Sequence, residues 1–320
     1  MTRLLTVALP ILAFVVIVFG AYVRLSDAGL GCPDWPGCYG HLTVPGAEHA
    51  PALDPEKLRA RPLEAGKAWR EMIHRYLAST LGFGIVLLSI AALRGRTDRS
   101  VLWLFPVVVF QGLLGMWTVT LLLKPLIVSG HLLGGLATLS LLWWHCLRVY
   151  FPDMPAPSPI RLAVAARFAL IALVLQIFLG GWTSSNYAAL ACTDFPTCQG
   201  HWWPNMDFAD AFVLWRGLGI NYEFGVLETP ARTAIHFAHR CGAVIATLLI
   251  GITIMQAWRA PQQRLRRLAS CILAALLLQV SLGIANVKGG LPLAVAVAHN
   301  GGAALLLQTL VTLVYFTRRK

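Results

Sequence analysis

Charge is what this chain has least of. Only 12% of its 320 residues are Asp, Glu, Lys or Arg and just 14 are acidic, whereas 57% are apolar and the mean hydropathy is +0.67. Soluble domains carry about twice that share of charge, so a water-soluble fold is excluded and the chain belongs in a bilayer. Two further absences narrow the field. There is no Cys-x-x-Cys, the usual spacing of a redox-active pair. There are also no paired Gly/Pro-broken spans at mid-membrane of the kind that mark a transporter's binding site.

What is present is a set of long apolar runs, at 4–23, 71–93, 101–123, 126–147, 162–183, 231–256, 267–287 and 294–316. Each is close to the ~20 residues that span a bilayer. The expected fold is therefore all-α and integral to the membrane, with eight transmembrane helices. The first run is too long to be a cleaved signal peptide and is expected to be retained. Segments 1–3, 94–100, 148–161, 257–267 and 317–320 hold thirteen Lys/Arg against Asp98 and Asp153, while the opposite loops hold nine Lys/Arg against eleven Asp/Glu. The positive-inside rule puts both termini in the cytoplasm and the long loops outside the cell membrane. The net charge of +12 is then a collar for the inner leaflet, and nucleic acid is not an expected partner.

The sequence repeats itself. Gly20 to His41 aligns without a gap on Gly180 to His201, and Cys32/Cys38 match Cys192/Cys198 at an offset of 160. His74-Arg75 matches His239-Arg240 at 165; Gln111-x-x-Leu114-Gly115 matches Gln279-x-x-Leu282-Gly283 at 168, as does His131-x-x-Gly134 with His299-x-x-Gly302. The pattern is a tandem duplication of a four-helix bundle, with halves 1–152 and 160–320 in one orientation. The boundary falls in the proline-rich loop Phe151 to Pro159, which cannot continue a helix.

Each long outer loop carries a Cys-x5-Cys. On that face disulfides persist, and a zinc site would want four ligands in tighter pairs, so Cys32–Cys38 and Cys192–Cys198 read as two loop staples. A redox role for one of them is the alternative. Cys146, Cys241 and Cys271 read as small apolar fillers. His41 and His201, three residues beyond each loop, have no third ligand nearby in sequence and stay outside the site.

The helix histidines carry the function. His74, His131, His239 and His299 lie at repeat-equivalent places near the outer ends of the second and fourth spans of each half, where an uncompensated polar group is costly. Two imidazoles facing each other across a bundle can clamp a haem iron axially, so two pairs predict two haem sites. Small residues surround the later histidine of each pair, Ser129, Gly130, Gly134 and Gly135 in one half and Gly301, Gly302 and Ala303 in the other. They admit a flat macrocycle, or close helix packing. Arg75 and Arg240 read as partners for haem propionates, with snorkelling as the alternative. One position separates the halves: Glu71 stands where the second half has His236. A carboxylate one turn from a single presumed iron ligand points to proton-coupled chemistry in the first pocket, the alternative being a charge that stabilises the helix N-terminus.

Phe19-Gly20-Ala21-Tyr22-Val23-Arg24-Leu25-Ser26-Asp27-Ala28-Gly29-Leu30-Gly31-Cys32-Pro33-Asp34-Trp35-Pro36, Glu71-x-x-His74-Arg75 and the four histidines together resemble the haem A synthase family over essentially the whole chain. The resemblance implies an oxidoreductase that oxidises the C8 methyl of haem O to a formyl group, making haem A for terminal oxidases. It implies substrate haem O between His74 and His131, Glu71 as catalytic carboxylate, and prosthetic haem B between His239 and His299 as a route for electrons. The polar stretch from Glu48 to Leu63 has no counterpart in the pattern. The rival reading is a di-haem b-type electron carrier or quinol oxidoreductase, which has no need of an asymmetric Glu71. Expected partners are the lipid bilayer, an electron donor or acceptor of unknown identity, and the haem O synthase, whose insoluble product favours direct hand-over. Homo-oligomerisation, the oxygen source and the redox state of the disulfides are left open by the sequence.

Overall fold

The computed structural model describes residues 2–46, 56, 61–152 and 159–318. Most of the Glu48 to Leu63 stretch lies outside them, as does the centre of the proline-rich boundary loop. Among the described residues there are eight long helices and no strand: α1 (Thr2–Leu25), α2 (Ala65–Leu93), α3 (Leu104–Thr120), α4 (Pro125–Tyr150), α5 (Ile160–Ser185), α6 (Thr229–Trp258), α7 (Gln263–Lys288) and α8 (Leu293–Thr317). A 3-10 turn, Arg99–Trp103, precedes α3 and is capped by Asp98, which accepts from Ser100 N at 2.7 Å. With that turn counted into the third span, all eight are long and apolar enough to cross a membrane. The protein is an all-α integral membrane protein.

Several helices outrun their apolar runs. α2 begins at Ala65 rather than 71 because its first turns, with Lys67 and Arg70, are polar enough to stand beyond the hydrocarbon yet are good helix formers. α3 stops at Thr120, short of the predicted 123. Leu122 and Leu123 take φ of 52° and 60°, and Pro125 then opens α4. Large apolar side chains such as Phe83, Phe168 and Leu248 remain 65%, 60% and 62% exposed, as a surface solvated by lipid tails requires.

By contacts the chain divides into two compact units, Met1–Thr138 with Leu214–Val226, and Leu139–Val213 with Leu227–Lys320. In the second unit α5 packs on α6, α6 on α7, α7 on α8 and α8 on α5, a closed ring of four. In the first unit α1 packs on α2 and α2 on α3. Gln111 of α3 bonds to α4, and Gly135 of α4 faces Ile17 of α1, which closes that ring too. The second and fourth helix of each ring are therefore diagonal partners. Backbone details repeat with the sequence: positive φ recurs at Asp27 and Tyr187, at Tyr39 and Gln199, and at Leu123 and Leu291. Cys38 pairs with His41 as Cys198 does with His201.

The segment Leu214–Val226 straps the end of the first unit at which α3 turns into α4. Lys124, buried at the α3–α4 turn, donates to the Gly217 carbonyl and lies 3.5 Å from the Trp215 ring centre. Tyr222 N donates to Leu122 O at 3.0 Å, Tyr222 packs with Leu30, Val119 and Leu123, and the Arg61 guanidinium grips Glu223 at 2.6 and 3.2 Å. In the second unit, Trp143 Nε1 near the C-terminal end of α4 donates to Thr312 at 2.8 Å.

Candidate functional site

Each helix histidine lies against a glycine of the preceding span. A Cβ added at Gly20 would come 2.8 Å from His74 Cε1, and one at Gly115 would come 3.3 Å from His131 Cε1. In the second unit the corresponding distances are 3.2 Å between Gly180 and His239 and 3.1 Å between Gly283 and His299. The rings fill the spaces the absent side chains leave. His74 and His131 thus stand on the diagonal helices α2 and α4, and His239 and His299 on α6 and α8. Members of each pair lie close enough to interact electrostatically. All four are half-buried, and Nδ1 of His74, His131 and His299 is shielded from solvent with no hydrogen-bond partner.

Shielded imidazole nitrogens without partners are costly unless something binds them. A donor set of two neutral nitrogens on diagonal helices, repeated once per unit, is one an axially ligated haem takes; these residues fit that group. Sequence reasoning found the histidines but not the facing glycines, although Gly20, Gly115, Gly180 and Gly283 all lie within its repeats.

The two cysteine loops are built on the same plan. Cys32–Cys38 and Cys192–Cys198 are bonded, with S–S distances of 2.05 and 1.99 Å. All four cysteines are essentially sealed from solvent. The Glu71 carboxylate, 4% exposed, accepts from Cys32 N at 2.9 Å. At the equivalent position His236 Nδ1 accepts from Cys192 N at 3.3 Å. Both side chains therefore tie a span to the first cysteine of its loop. Glu71 also receives Arg75 Nη2 at 2.5 Å.

Arg75 Nη1 donates to the carbonyls of Pro36 and Gly37, at 3.1 and 2.5 Å. Arg240 donates to the carbonyls of Thr197, Cys192 and Asp194 at 2.7, 3.0 and 2.9 Å. These loop contacts join residues some forty positions apart, which the sequence could not show. Arg240 Nε is shielded and has no acceptor, so it keeps a donor for a further anion. At the loop tip Asp194 accepts from the Thr197 hydroxyl and from Gly200 and Gln199 N–H groups, which holds its carboxyl down to about 2. Asp34 accepts from Tyr39 and Gly40 N–H in the same way, at 2.7 and 2.6 Å.

Residues 3–311 match the model of the COX15-CtaA family, described as cytochrome oxidase assembly protein. The chain belongs to this family. It is 48% identical over 324 residues to the heme A synthase of Shewanella oneidensis, an alignment covering 100% of this chain and 97% of that protein. It is 28% identical to the heme A synthase of Caulobacter vibrioides, covering 96% of this chain and 93% of the other. The figure for the heme A synthase of Paracoccus denitrificans is also 28%, over 95% and 84%. The likeness runs through both units, so it spans both histidine pairs and both disulfide loops.

Proposed function

We propose that the protein is a haem A synthase that oxidises the C8 methyl of haem O to a formyl group. The observation that carries this reading is the pair of diagonal histidine sites, alike in their glycine seats yet different at Glu71 and His236, in a chain whose relatives are heme A synthases. His74 and His131 hold substrate haem O; His239 and His299 hold a prosthetic haem B. The haem B iron supplies a one-electron redox centre when bound.

The chain's own residues position, shield and move protons. A methyl that becomes a formyl gains one oxygen atom and gives up four electrons, so protons must leave the first pocket. Glu71, hydrogen-bonded to Cys32 N and paired with Arg75, is the carboxylate in place to take them or to offset positive charge at the ring edge. Arg75 and Arg240 sit at the outer rim, where a guanidinium meets propionates as well as loop carbonyls. The stapled loops close that rim against water. The termini lie in the cytoplasm and the loops outside. Haem O arrives by hand-over from the synthase that makes it, and an unidentified carrier exchanges the electrons.

The test is conversion in membranes supplied with haem O, read by chromatography of extracted haems. Wild type yields haem A and His74→Leu does not. Haem A production that survives His74→Leu with His131→Leu would reject the assignment of the first pocket.

A further inference from the structure

The eight spans form four hairpins, and three of them share a feature beyond the glycine seat. Four residues before the glycine stands a glutamine, and three residues after the histidine stands a second glycine. Gln111 pairs with Gly134, Gln176 with Gly242 and Gln279 with Gly302; in each case a Cβ on that glycine would collide with the glutamine Oε1. The notch lets the amide reach the histidine. Gln176 Nε2 lies 3.0 Å from His239 Nδ1 and donates to the His239 carbonyl at 2.9 Å. Gln279 Nε2 lies 3.3 Å from His299 Nε2, and Gln111 Nε2 donates to the His131 carbonyl at 2.6 Å.

In all three the amide oxygen is shielded and has no donor. An amide offers both a donor and an acceptor, so that oxygen is free to take the N–H of an imidazole whose other nitrogen binds iron. The first hairpin departs from the pattern. Gly20 and His74 are present, but Val16 stands in the glutamine position and Leu77 in the notch position. His74 Nδ1 lacks a partner, as Nδ1 of His131 and His299 also does; what sets the first hairpin apart is that no amide stands beside its histidine.

Resting on the two-haem reading above, we infer that Gln176, Gln279 and Gln111 are positioning residues that fix three of the four iron-binding histidines, and that His74 is left unfixed so that the substrate haem can be taken up and released. Partners of this kind orient an imidazole and raise its basicity, and losing one costs about 10–100-fold in metal affinity or activity. A resident cofactor needs that hold on both sides. A haem that must enter as substrate and leave as product is served by one firm ligand and one loose one.

The experiment measures haem transfer from detergent-purified protein to excess apomyoglobin, together with the low-spin electron paramagnetic resonance signal of the bound haem. In Gln176→Leu and Gln279→Leu, haem B should leave roughly tenfold faster or more, and its signal should shift, which loosened packing far from the iron would not produce. In Val16→Gln with Leu77→Gly, which transplants the notch, haem A or haem O should leave the first pocket about tenfold more slowly while the haem B signal stays as in wild type. Wild-type haem loss and wild-type spectra in all these variants would overturn the inference while leaving the two-haem reading intact. Wild-type protein that carries no bis-histidine haem would overturn both.

Discussion

The Glu71 carboxylate accepts a hydrogen bond from the Cys32 backbone N–H at 2.9 Å, and in the second unit His236 Nδ1 accepts the equivalent bond from Cys192 at 3.3 Å. One position thus does the same structural job twice with different chemistry. The loop needs an acceptor there, and either side chain provides one; only the carboxylate adds a charge, paired with Arg75 at 2.5 Å.

That relationship separates the two roles of Glu71. Replacing it by Ala leaves the buried Cys32 N–H unpaired and takes one partner from Arg75, which keeps the Pro36 and Gly37 carbonyls, and should destabilise the first unit by about 1–3 kcal/mol. Glu71→His restores the acceptor used in the other unit. The expected outcome is a folded protein with both haems bound and haem A formation lost, measured by extracted-haem chromatography beside a thermal melt. Full haem A formation in Glu71→His would remove Glu71 from the chemistry.

The glycine seats predict selective haem loss. Gly20→Val drives a side chain into the His74 ring, since even a Cβ would stand 2.8 Å from Cε1. It should deplete the haem of the first pocket and spare haem B. Gly180→Val should do the reverse at His239, where the Cβ distance is 3.2 Å. Mass spectrometry of the haems retained after purification checks both.

The disulfides should behave as staples. With both sulfurs of each pair buried, reductant reaches them slowly, and mild thiol treatment should leave them oxidised in a mass-shift alkylation assay. Cys192→Ala with Cys198→Ala should cost roughly 2 kcal/mol through the short loop it opens and should speed proteolysis between α5 and α6. Haem A formation at the wild-type rate without either disulfide would exclude a role for them in turnover.

The loop around Asp194 should loosen in acid. Asp194 is held below its ordinary 3.8, at about 2, by the Thr197 hydroxyl and loop N–H groups. A depressed carboxyl stabilises the fold above its unfolded value and loses that contribution as pH falls through the window from about 3.8 to about 2. Protection of the Gln199 and Gly200 amides from hydrogen exchange should fall across that range, and Asp194→Ala, which removes both acceptors, should make it low at every pH.

Much of this architecture was legible in the chain because a bilayer imposes a simple rule on sequence. Apolar runs near 20 residues form helices, and the repeat offsets put the histidines on equivalent spans. Helix ends were less legible: polar first turns such as that of α2 leave no hydropathy signal, and Leu122 and Leu123 look apolar while making a turn. The contacts of Arg75 and Arg240 were hidden because they join residues distant in sequence. The strap at Leu214–Val226 was hidden too, since Lys124 and Trp215 meet only through tertiary folding. The glutamine notches lay in plain view as repeated residues, but their meaning required seeing which helix faced which.

The most direct measurement of the central claim is mass spectrometry of the haems that copurify with wild type, with the His74→Leu/His131→Leu pair of substitutions and with the His239→Leu/His299→Leu pair. The account predicts haem B with haem O, a hydroxylated intermediate or haem A in wild type, loss of only the haem O-derived species in the first variant, and loss of haem B in the second. Haem B alone in wild type, or a haem content unchanged by both pairs of substitutions, would contradict it.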